Sequence, residues 1–459
     1  MTHSTIPLAT RELYGPAHFG NTYEATLPGE MTALLTEAKF WGFNRFSDWF
    51  DTIDLYNVYE KKQKPLFNMP EAIWARKFSN FKCADKLGFE LGLVVTPNHV
   101  FSNQVTPENE AEKTGKFFGQ LVCPSKPGAT ELILENYRNL FQDFKEHGLR
   151  LGSIAGGAYD YGGCACEKCS PWIVTFGKLF KQIAGLAGEC FGSISVELWG
   201  WWWTDEDHKE FTKWADAEAP DYFKAMAFHL PYGITDYQVR PIPRNCAEKA
   251  FVHIAYGEQS NRDAYCHYGA NIAPVRLEKT VRYLVSRGAA GFLAYSEGDH
   301  DDINKAILAG LSSKQYSSAD EVLHAYAKRY FGANPAGWSE LLHYLGDFET
   351  IETVKCRRLF DKLSRGATNL WRFQQVEERL KMAEAHQAVL AETDWTPKRL
   401  AAAKAFIAAK ARLYRNVWRL GLQRHAFRFE TYMPDWYDSY IKISGEKKFE
   451  SVLDLNAQA

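Results

Sequence analysis

The chain alternates strand-like and helix-like segments from its N-terminus to about residue 305, and this alternation restricts the possible folds more than any other feature. Short apolar runs that end in polar or glycine-rich residues predict eight strands, at 12–19, 44–50, 91–96, 151–160, 193–201, 225–229, 251–256 and 291–295. Helical periodicity predicts helices at 29–41, 70–87, 130–147, 172–189, 206–218 and 275–287. Eight strands that mostly alternate with helices indicate an α/β protein built as a (β/α)8 TIM barrel.

The competing arrangement is an open, doubly wound parallel sheet. Sheets of that kind bind dinucleotides through a glycine-rich loop after the first strand. No such glycine fingerprint follows any early strand in this sequence, so the barrel is favoured. The first strand and the connection between the sixth and seventh strands are its weakest parts.

A second region begins after the barrel. From about residue 317 to 443 the strand signals stop and long helical periodicity remains. Its basic segment 398–428 follows the glutamate-containing segment 377–392, which predicts two antiparallel helices whose solvated faces pair their charges. Binding of an acidic sugar is the alternative for these charges. With no long linker in between, we predict a barrel domain at 1–312 and an all-helical C-terminal domain at 313–459 that pack as one body.

Charge and hydropathy exclude several classes of partner. The 54 Lys and Arg residues balance 56 Asp and Glu residues, for a formal net charge of −2, so no basic field exists for nucleic acid or an anionic membrane. No apolar run reaches the roughly 20 residues of a membrane span, and the N-terminus has no signal-peptide pattern. We expect a soluble protein in the cytoplasm, or an exported one whose signal peptide is missing from the sequence, and a homo-oligomer is compatible with both.

Aromatic residues are unusually frequent and point to a carbohydrate. The chain has 14 Trp, 23 Tyr and 30 Phe residues, and four of the Trp residues lie within LWGWWWT at the end of the fifth predicted strand. Glu197, Trp199 and Trp201 share one face of that strand by its period of two. Clustered Trp rings at a strand end suit the apolar faces of sugar rings. The alternative is a packing plug against the C-terminal helices.

Carboxyl groups that follow three of the strands are the candidate catalytic residues. They are Asp160 in GGAYDYGG, Glu258 in HIAYGEQ and Glu297 in LAYSEGDHDD. In a TIM barrel the strand ends converge on one mouth. Hydrolysis of a glycosidic bond needs one protonated carboxyl and a second group opposite it. Asp160 with Glu258 or Glu297 meets this need, although Asp160 could instead be a turn residue that bonds its own backbone.

Other polar and aromatic residues near strand ends are predicted to bind the substrate. They are Asp48, His99, Glu197, Trp199, Trp201, Trp202, Asp207, His208, His229, Tyr256 and Tyr295. A histidine such as His229 is in this setting more often a hydrogen-bonded structural residue. The acidic residues after Thr204 could equally form the first turn of the next helix, with Thr204 as its N-cap.

The nine cysteines are odd in number and scattered, which is typical of reduced thiols. Cys164, Cys166 and Cys169 have CxCxxC spacing, but structural zinc needs four ligands and no CxxC or HxxxH partner lies nearby. We therefore expect these thiols to pack a loop, with no metal and no cofactor, while a fourth ligand from a distant segment stays open. The sequence also lacks GxSxG, P-loop and HExxH motifs.

Four segments carry a resemblance to a known group. YDYGGCACEKCSPW, LWGWWWTDEDH, AYSEGDHDDINKAILAGL and SADEVLHAYAKRYFG resemble bacterial glycoside-hydrolase-type barrels with a helical C-terminal domain, a group that includes α-glucuronidases and N-acetylglucosaminidase-like enzymes. The resemblance implies a catalytic acid and its partner at strand ends, by position Asp160 with Glu258 or Glu297. Asp160 is followed by Tyr161 and not by a second acid, which disfavours the substrate-assisted mechanism of N-acetylhexosaminidases.

The expected function is that of a glycoside hydrolase that cleaves an oligo- or polysaccharide through paired carboxyl groups, with Asp160 as acid/base. Within enzymes, the alternative is a sugar lyase, epimerase or isomerase that uses His229, His208 or a metal. A non-catalytic carbohydrate-binding protein is the alternative from another class.

Overall fold

The structure, a computed structural model, describes residues 7–18, 20–50, 52, 55–60, 69–112, 121–159, 162–231, 233–255, 270–346, 351–417 and 419. Three residues predicted for the site, Asp160, Tyr256 and Glu258, lie outside the described residues.

Eight parallel strands form a closed barrel in sequence order, which confirms the predicted (β/α)8 fold. The strands are β1 (Thr10–Tyr14), β2 (Arg45–Trp49), β3 (Glu90–Val95), β4 (Ser153–Gly157), β5 (Ser195–Trp199), β6 (Ala225–His229), β7 (Ala247–His253) and β8 (Gly291–Tyr295). Pairing of β1 with β8, in register from Thr10 opposite Gly291 to Tyr14 opposite Tyr295, closes the barrel.

The helices agree closely with the sequence pattern. They are α1 (Thr22–Ala25), α2 (Pro28–Trp41), α3 (Met69–Lys86), α4 (Ala129–Glu146), α5 (Trp172–Phe191), α6 (Asp205–Glu218), α7 (Pro274–Arg287), α8 (Asp302–Ser312), α9 (Ala319–Tyr330), α10 (Pro335–Gly346), α11 (Thr353–Leu363), α12 (Leu370–Leu390) and α13 (Pro397–Val417). All six predicted barrel helices lie within two residues of their expected bounds. None of the described helices is long and apolar enough to cross a membrane.

Two strands differ clearly from their predicted bounds. The first ends at Tyr14 and not at residue 19, because Gly15 and Pro16 follow and proline has no amide hydrogen for the ladder. The seventh begins at Ala247, before its apolar run, because the charged side chains of Glu248 and Lys249 belong to the strand. Lys249 points into the barrel, where carboxylates neutralise it.

The described part of the C-terminal region is helical, as predicted, and packs on the barrel helices. Arg412 pairs with Glu378 at 2.8 Å and Lys398 with Glu392 at 2.6 Å, so α12 and α13 run antiparallel with paired charges. Contacts to the barrel include the ion pair of Arg372 with Asp302, at 2.7 Å. The chain passes from α8 to α9 after Ser312, and we propose the domain boundary there.

Four charged side chains from four strands meet inside the barrel, and we call them the charged layer: Glu12, Arg45, Glu197 and Lys249. Arg45 Nη1 lies 2.7 Å from Glu197 Oε1 and 3.3 Å from Glu12 Oε2. Lys249 Nζ lies 2.5 Å from Glu197 Oε2 and 3.0 Å from Glu12 Oε2. Burial alone would raise the pKa of Glu197, but Lys249 and Arg45 outweigh it and lower that pKa to about 2.

Substitution of Glu197 by Gln should destabilise the fold and change its acid response. At neutral pH we expect a loss of about 3–5 kcal/mol, because Lys249 and Arg45 lose a buried partner. Since the pKa of Glu197 is depressed when folded, its contribution is complete above about pH 4.5 and is lost as the pH falls towards 2. Urea unfolding at several pH values measures this. A difference between variant and parent that stays constant below pH 4.5 would contradict the ion-pair assignment.

Candidate functional site

Side chains at the C-terminal ends of four neighbouring strands meet at the mouth of the barrel. We call them the mouth cluster: Trp201, His229, His253, Tyr295 and Glu297. The ring centroids of Trp201 and His229 are 4.0 Å apart, those of Trp201 and His253 are 5.1 Å apart, and those of His253 and Tyr295 are 5.5 Å apart. Catalytic groups of TIM barrels lie at this end.

Beneath the mouth cluster lies an aromatic floor of Tyr14, Trp199 and Phe251. Trp199 stacks on Phe251 with centroids 5.2 Å apart and the ring planes at 21°, and Tyr14 meets Trp199 edge-on at 5.9 Å. Trp199 is only 4% exposed. The predicted platform residue Trp199 therefore supports the site from below, whereas half-buried Trp201 lies above it at the mouth.

Two histidines on adjacent strands form a hydrogen-bonded pair. His229 Nε2 and His253 Nε2 are 3.2 Å apart, so one nitrogen donates a proton and the other accepts it. Burial lowers the pKa of His229 to about 3, which keeps its ring neutral across the physiological range. A neutral imidazole can accept a proton or position a polar group of a ligand.

Glu297 is the one candidate catalytic acid among the described residues. It follows β8 by two residues and is 3% exposed. The Tyr295 hydroxyl donates a hydrogen bond of 2.5 Å to Glu297 Oε1. The Tyr295 hydroxyl therefore orients the Glu297 carboxyl group at a poorly solvated mouth.

The backbone around Glu297 is fixed by a second buried carboxylate. Asp301 accepts hydrogen bonds from the Glu297 amide at 3.2 Å and from the Ser296 hydroxyl at 3.0 Å, and it pairs with Lys305 at 2.6 Å. Gly298 has a φ of +159°, and a Cβ there would lie 2.1 Å from a side-chain oxygen of Thr22. The loop that carries Glu297 therefore has one tightly packed conformation.

Three side chains from the first three strand ends line another part of the mouth. Trp49 lies with its ring 5.7 Å from His99 and 6.0 Å from His18. His99 pairs by a β-bridge with Leu121, and Leu121 packs against the interior aromatic residues. The structure thus brings the predicted residue His99 to the barrel opening, in contact with Trp49.

Two of the predicted binding residues are buried elsewhere. Asp48 has no exposed surface and accepts hydrogen bonds from the amides of Ala17, at 2.9 Å, and Trp49, at 2.6 Å, beside Lys77 at 3.4 Å. Burial raises the pKa of Asp48, and Lys77 opposes that rise. Glu197 lies in the charged layer, below the floor. The structure brings neither carboxylate to the mouth.

The acidic segment after Thr204 begins a helix, as one of the two interpretations predicts. The Thr204 hydroxyl accepts a hydrogen bond from the Asp207 amide at 3.1 Å, and Asp207 Oδ2 accepts one from the Thr204 amide at 2.8 Å. His208 stacks on Phe228 behind the strand, and burial lowers its pKa to about 4. Asp207 and His208 thus fix α6 against the barrel.

The other tryptophans of the cluster divide between the surface and the core. Trp202 is 55% exposed, has a left-handed backbone with φ of +64°, and meets Trp201 edge-on at 5.7 Å. Trp203 is buried against Phe211, at 5.0 Å. Trp202 is therefore available to a ligand above the mouth, while Trp203 packs between the barrel helices and not against the C-terminal ones.

The described residues on both sides of Asp160 are well anchored. Before it, the Tyr159 hydroxyl donates to Asp207 Oδ1 at 2.6 Å. After it, Gly163 exchanges hydrogen bonds with the Asn98 side chain, at 3.0 and 3.2 Å. Asp207, predicted as a sugar contact, thus binds the side chain of the residue before Asp160.

The sequence interpretation missed three residues at the mouth: His18, Trp49 and His253. His253 was within reach, because it follows Phe251 by two positions on a predicted strand and must share its inward face. Trp49 was harder to assign, because all five residues of β2 are buried and neither face is marked by polarity. His18 follows β1 in a loop that lacks a regular pattern.

No protein-family model and no curated protein matches the sequence. Solved structures with a similar fold include the catalytic domain of β-amylase from Paenibacillus polymyxa, with 10% identity, a TM-score of 0.42 and coverage of 67% of this chain and 98% of that chain. The α-L-fucosidase AlfC from Lactobacillus casei gives 10% identity, a TM-score of 0.42 and coverage of 67% and 96%. Dihydrodipicolinate synthase from Agrobacterium tumefaciens gives 10% identity, a TM-score of 0.34 and coverage of 81% and 97%. These barrels differ in activity, and likenesses at this level carry no argument about the function of this chain.

Replacement of His229 by Gln should change the pH dependence of the free energy of unfolding, because the buried neutral ring is lost. The ordinary pKa of 6.5 applies to the unfolded chain, so the stabilisation by neutral His229 is complete above that pH and decreases as the pH falls towards 3. The decrease is at most about 1.4 kcal/mol per pH unit. We expect the unfolding free energy of the parent, relative to the variant, to fall between about pH 6.5 and 4.5. Tryptophan fluorescence in urea measures it, and equal pH slopes would show that folding does not lower the pKa of His229.

Proposed function

We propose that the protein is a glycoside hydrolase that binds a carbohydrate at the C-terminal mouth of the barrel. The observation that carries the proposal is the hydrogen-bonded pair of Tyr295 and Glu297 at the same mouth as Trp201, with the His253 ring in contact with both Tyr295 and Trp201. A carboxylate held by a tyrosine donor next to an aromatic ring combines a reactive oxygen with a flat apolar surface. Sugar rings need both kinds of contact, since one face carries C–H groups and the rim carries hydroxyls.

In this mechanism Glu297 acts in its ionised form. It either attacks the anomeric carbon or removes the proton from the attacking water, and Tyr295 holds the oxygen that carries its charge. Asp160, the predicted acid, supplies the proton for the leaving oxygen, and Glu258 is the alternative partner. Both assignments rest on the sequence positions of these two carboxyls after β4 and β7.

The aromatic residues would set the position of the sugar. Trp201 and exposed Trp202 meet edge-on, with an angle of 89° between their ring planes, so the two rings offer a ligand two nearly perpendicular surfaces. The floor of Trp199 and Phe251 excludes water from below. Such exclusion strengthens the hydrogen bond between Tyr295 and Glu297, because the local dielectric constant is low. The aromatic rings of Trp201 and Trp202 suit oligo- and polysaccharides. Substrates of α-glucuronidases and of N-acetylglucosaminidase-like enzymes are the first to test.

A hydrolysis screen with aryl glycosides and natural oligosaccharides tests this function. On a substrate that the parent cleaves, we expect Glu297→Gln to lower kcat by about 10²-fold or more, because the carboxylate is lost while the shape is kept. Tyr295→Phe should move the acidic limb of the pH–rate profile to higher pH, because the carboxylate loses a hydrogen bond. Asp160→Asn and Glu258→Gln, measured alongside, identify the second carboxyl.

Glu206→Gln is the matched control for this screen. Glu206 lies in the first turn of α6, is mostly exposed, and contacts Lys209 at 3.4 Å. The Glu206→Gln variant should keep the kcat of the parent. Full activity of Glu297→Gln, with an unchanged melting temperature, would overturn the role of Glu297. Sugar binding without any turnover in the parent would instead favour the non-catalytic carbohydrate-binding protein.

The histidine pair favours one second candidate, a sugar epimerase, isomerase or lyase. His229 and His253 share a proton over 3.2 Å at the same mouth, and a neutral imidazole can remove a proton from a C–H group beside a carbonyl. This activity would exchange substrate hydrogen with solvent. Incubation of sugars in deuterated water, followed by NMR, detects the exchange. His253→Gln should abolish it, whereas hydrolysis without exchange would exclude this candidate.

A further inference from the structure

Four cysteine thiols form a compact group at one side of the barrel mouth, and we call it the thiol cluster: Cys123, Cys164, Cys166 and Cys169. Their sulfur atoms all lie within 4.8 Å of one another. Cys123 Sγ is 3.6 Å from Cys166 Sγ and 3.7 Å from Cys169 Sγ. Among the residues that the structure describes, no other group of three or more His, Cys, Asp or Glu side chains is close enough to hold a metal ion.

The sulfur–sulfur distances fit a single tetrahedral metal ion. Zinc–thiolate bonds of about 2.3 Å place the sulfurs of a regular tetrahedron about 3.8 Å apart. The observed distances of 3.6 and 3.7 Å are close to that edge. A disulfide needs about 2.05 Å, so these contacts are not S–S bonds. Four thiolates are also one of the ligand sets that structural zinc sites use.

The ligands come from two different loops, which explains why sequence spacing gave only three of them. Cys164, Cys166 and Cys169 follow β4, and the last two lie at the start and end of a short 3-10 turn, with the Cys169 amide bonded to the Cys166 carbonyl at 3.0 Å. Cys123 lies in the loop after β3, 43 positions from Cys166. A structural zinc site commonly joins two chain segments in this way.

Hydrogen bonds independent of the thiols hold the two loops together. The Asn98 side chain donates to the carbonyl oxygens of Val122, at 3.1 Å, and Gly163, at 3.0 Å, one residue before Cys123 and Cys164 respectively. The Ala165 amide donates to the Glu112 carbonyl at 2.9 Å. The backbone next to the ligands is therefore already positioned, which lowers the conformational entropy lost on ion binding.

Two hydroxyl groups contact Cys169, one at its sulfur and one at its carbonyl oxygen. The Ser125 hydroxyl lies 3.1 Å from Cys169 Sγ, and the Thr175 hydroxyl donates to the Cys169 carbonyl at 3.1 Å. A hydroxyl that donates to a coordinating thiolate spreads its negative charge and fixes its orientation. Cys123, Cys164 and Cys169 are buried, so water has little access to the bound ion.

We propose that the thiol cluster binds one Zn²⁺ ion in a closed tetrathiolate site. On binding, four Zn–S bonds form and the four S–H protons pass to solvent, without any change of oxidation state. All four positions are filled by protein, so the ion is structural and takes no part in catalysis. It joins the loops after β3 and β4, and Cys164 lies four residues after Asp160. The site does not depend on the reaction at the mouth.

Metal analysis of the intact chain tests the proposal. We expect protein made in zinc-containing medium under reducing conditions to carry about one zinc per chain. Cys123→Ser should lose it, and Cys190→Ser should keep it. Cys190 is the matched control, since its thiol lies on α5 and contacts the Phe141 carbonyl at 3.5 Å, away from the cluster. Removal of zinc with a mercurial reagent should lower the melting temperature by several degrees, and zinc chloride should restore it.

Cobalt substitution covers the case in which Cys123→Ser fails to fold. The parent, stripped and loaded with Co²⁺, should show the intense visible bands of tetrahedral tetrathiolate cobalt. Absence of metal in the parent together with absence of these bands would overturn the proposal. Zinc retained at one equivalent by a folded Cys123→Ser variant would also overturn it. Glu297→Gln should contain zinc whether or not it is active, so failure of the hydrolase assignment leaves this test intact.

Discussion

The charged layer inside the barrel is the interaction on which the rest of the structure depends. Glu12, Arg45, Glu197 and Lys249 come from four strands, and each ion is removed from water at a cost of several kcal/mol. Only the complete set compensates that cost, because each carboxylate accepts from both cations. A slip of one residue in any of these strands would place a charge among the helices. The layer therefore selects the strand register.

Once the register is fixed, the period of two decides what lies above the charges. On β7 the inward positions are Lys249, Phe251 and His253, and on β5 and its loop they are Glu197, Trp199 and Trp201. On each strand the first of these side chains belongs to the charged layer, the second to the aromatic floor and the third to the mouth cluster. The register that the ion pairs select therefore also decides which side chains form the mouth cluster. His229 and His253 form a pair because β6 and β7 end side by side.

The sequence was sufficient for the barrel and for six of the helices around it, because these follow from apolar periodicity. It was insufficient for the direction of individual side chains on strands buried on both faces. Asp48 and Trp49 are neighbours on β2, yet Asp48 faces Lys77 of α3 and Trp49 faces the interior. Nothing in a uniformly buried strand marks that choice. Cys123 was missed for a different reason, since its partners are distant in sequence and only the fold brings two loops together.

The two loops discussed for catalysis are anchored differently in their described residues. Glu297 is fixed by local bonds, because Asp301 and Lys305 lie within the next eight residues and bind the same loop. The loop after β4 is long and glycine-rich, and such a loop loses more conformational entropy when it is ordered. It is anchored by distant partners: Asp207 binds Tyr159, Asn98 binds Gly163, and the thiol cluster follows. A metal ion suits the loop after β4, because metal–thiolate bonds would link it to the loop after β3. These strong bonds would replace the local side-chain contacts that glycine residues cannot make.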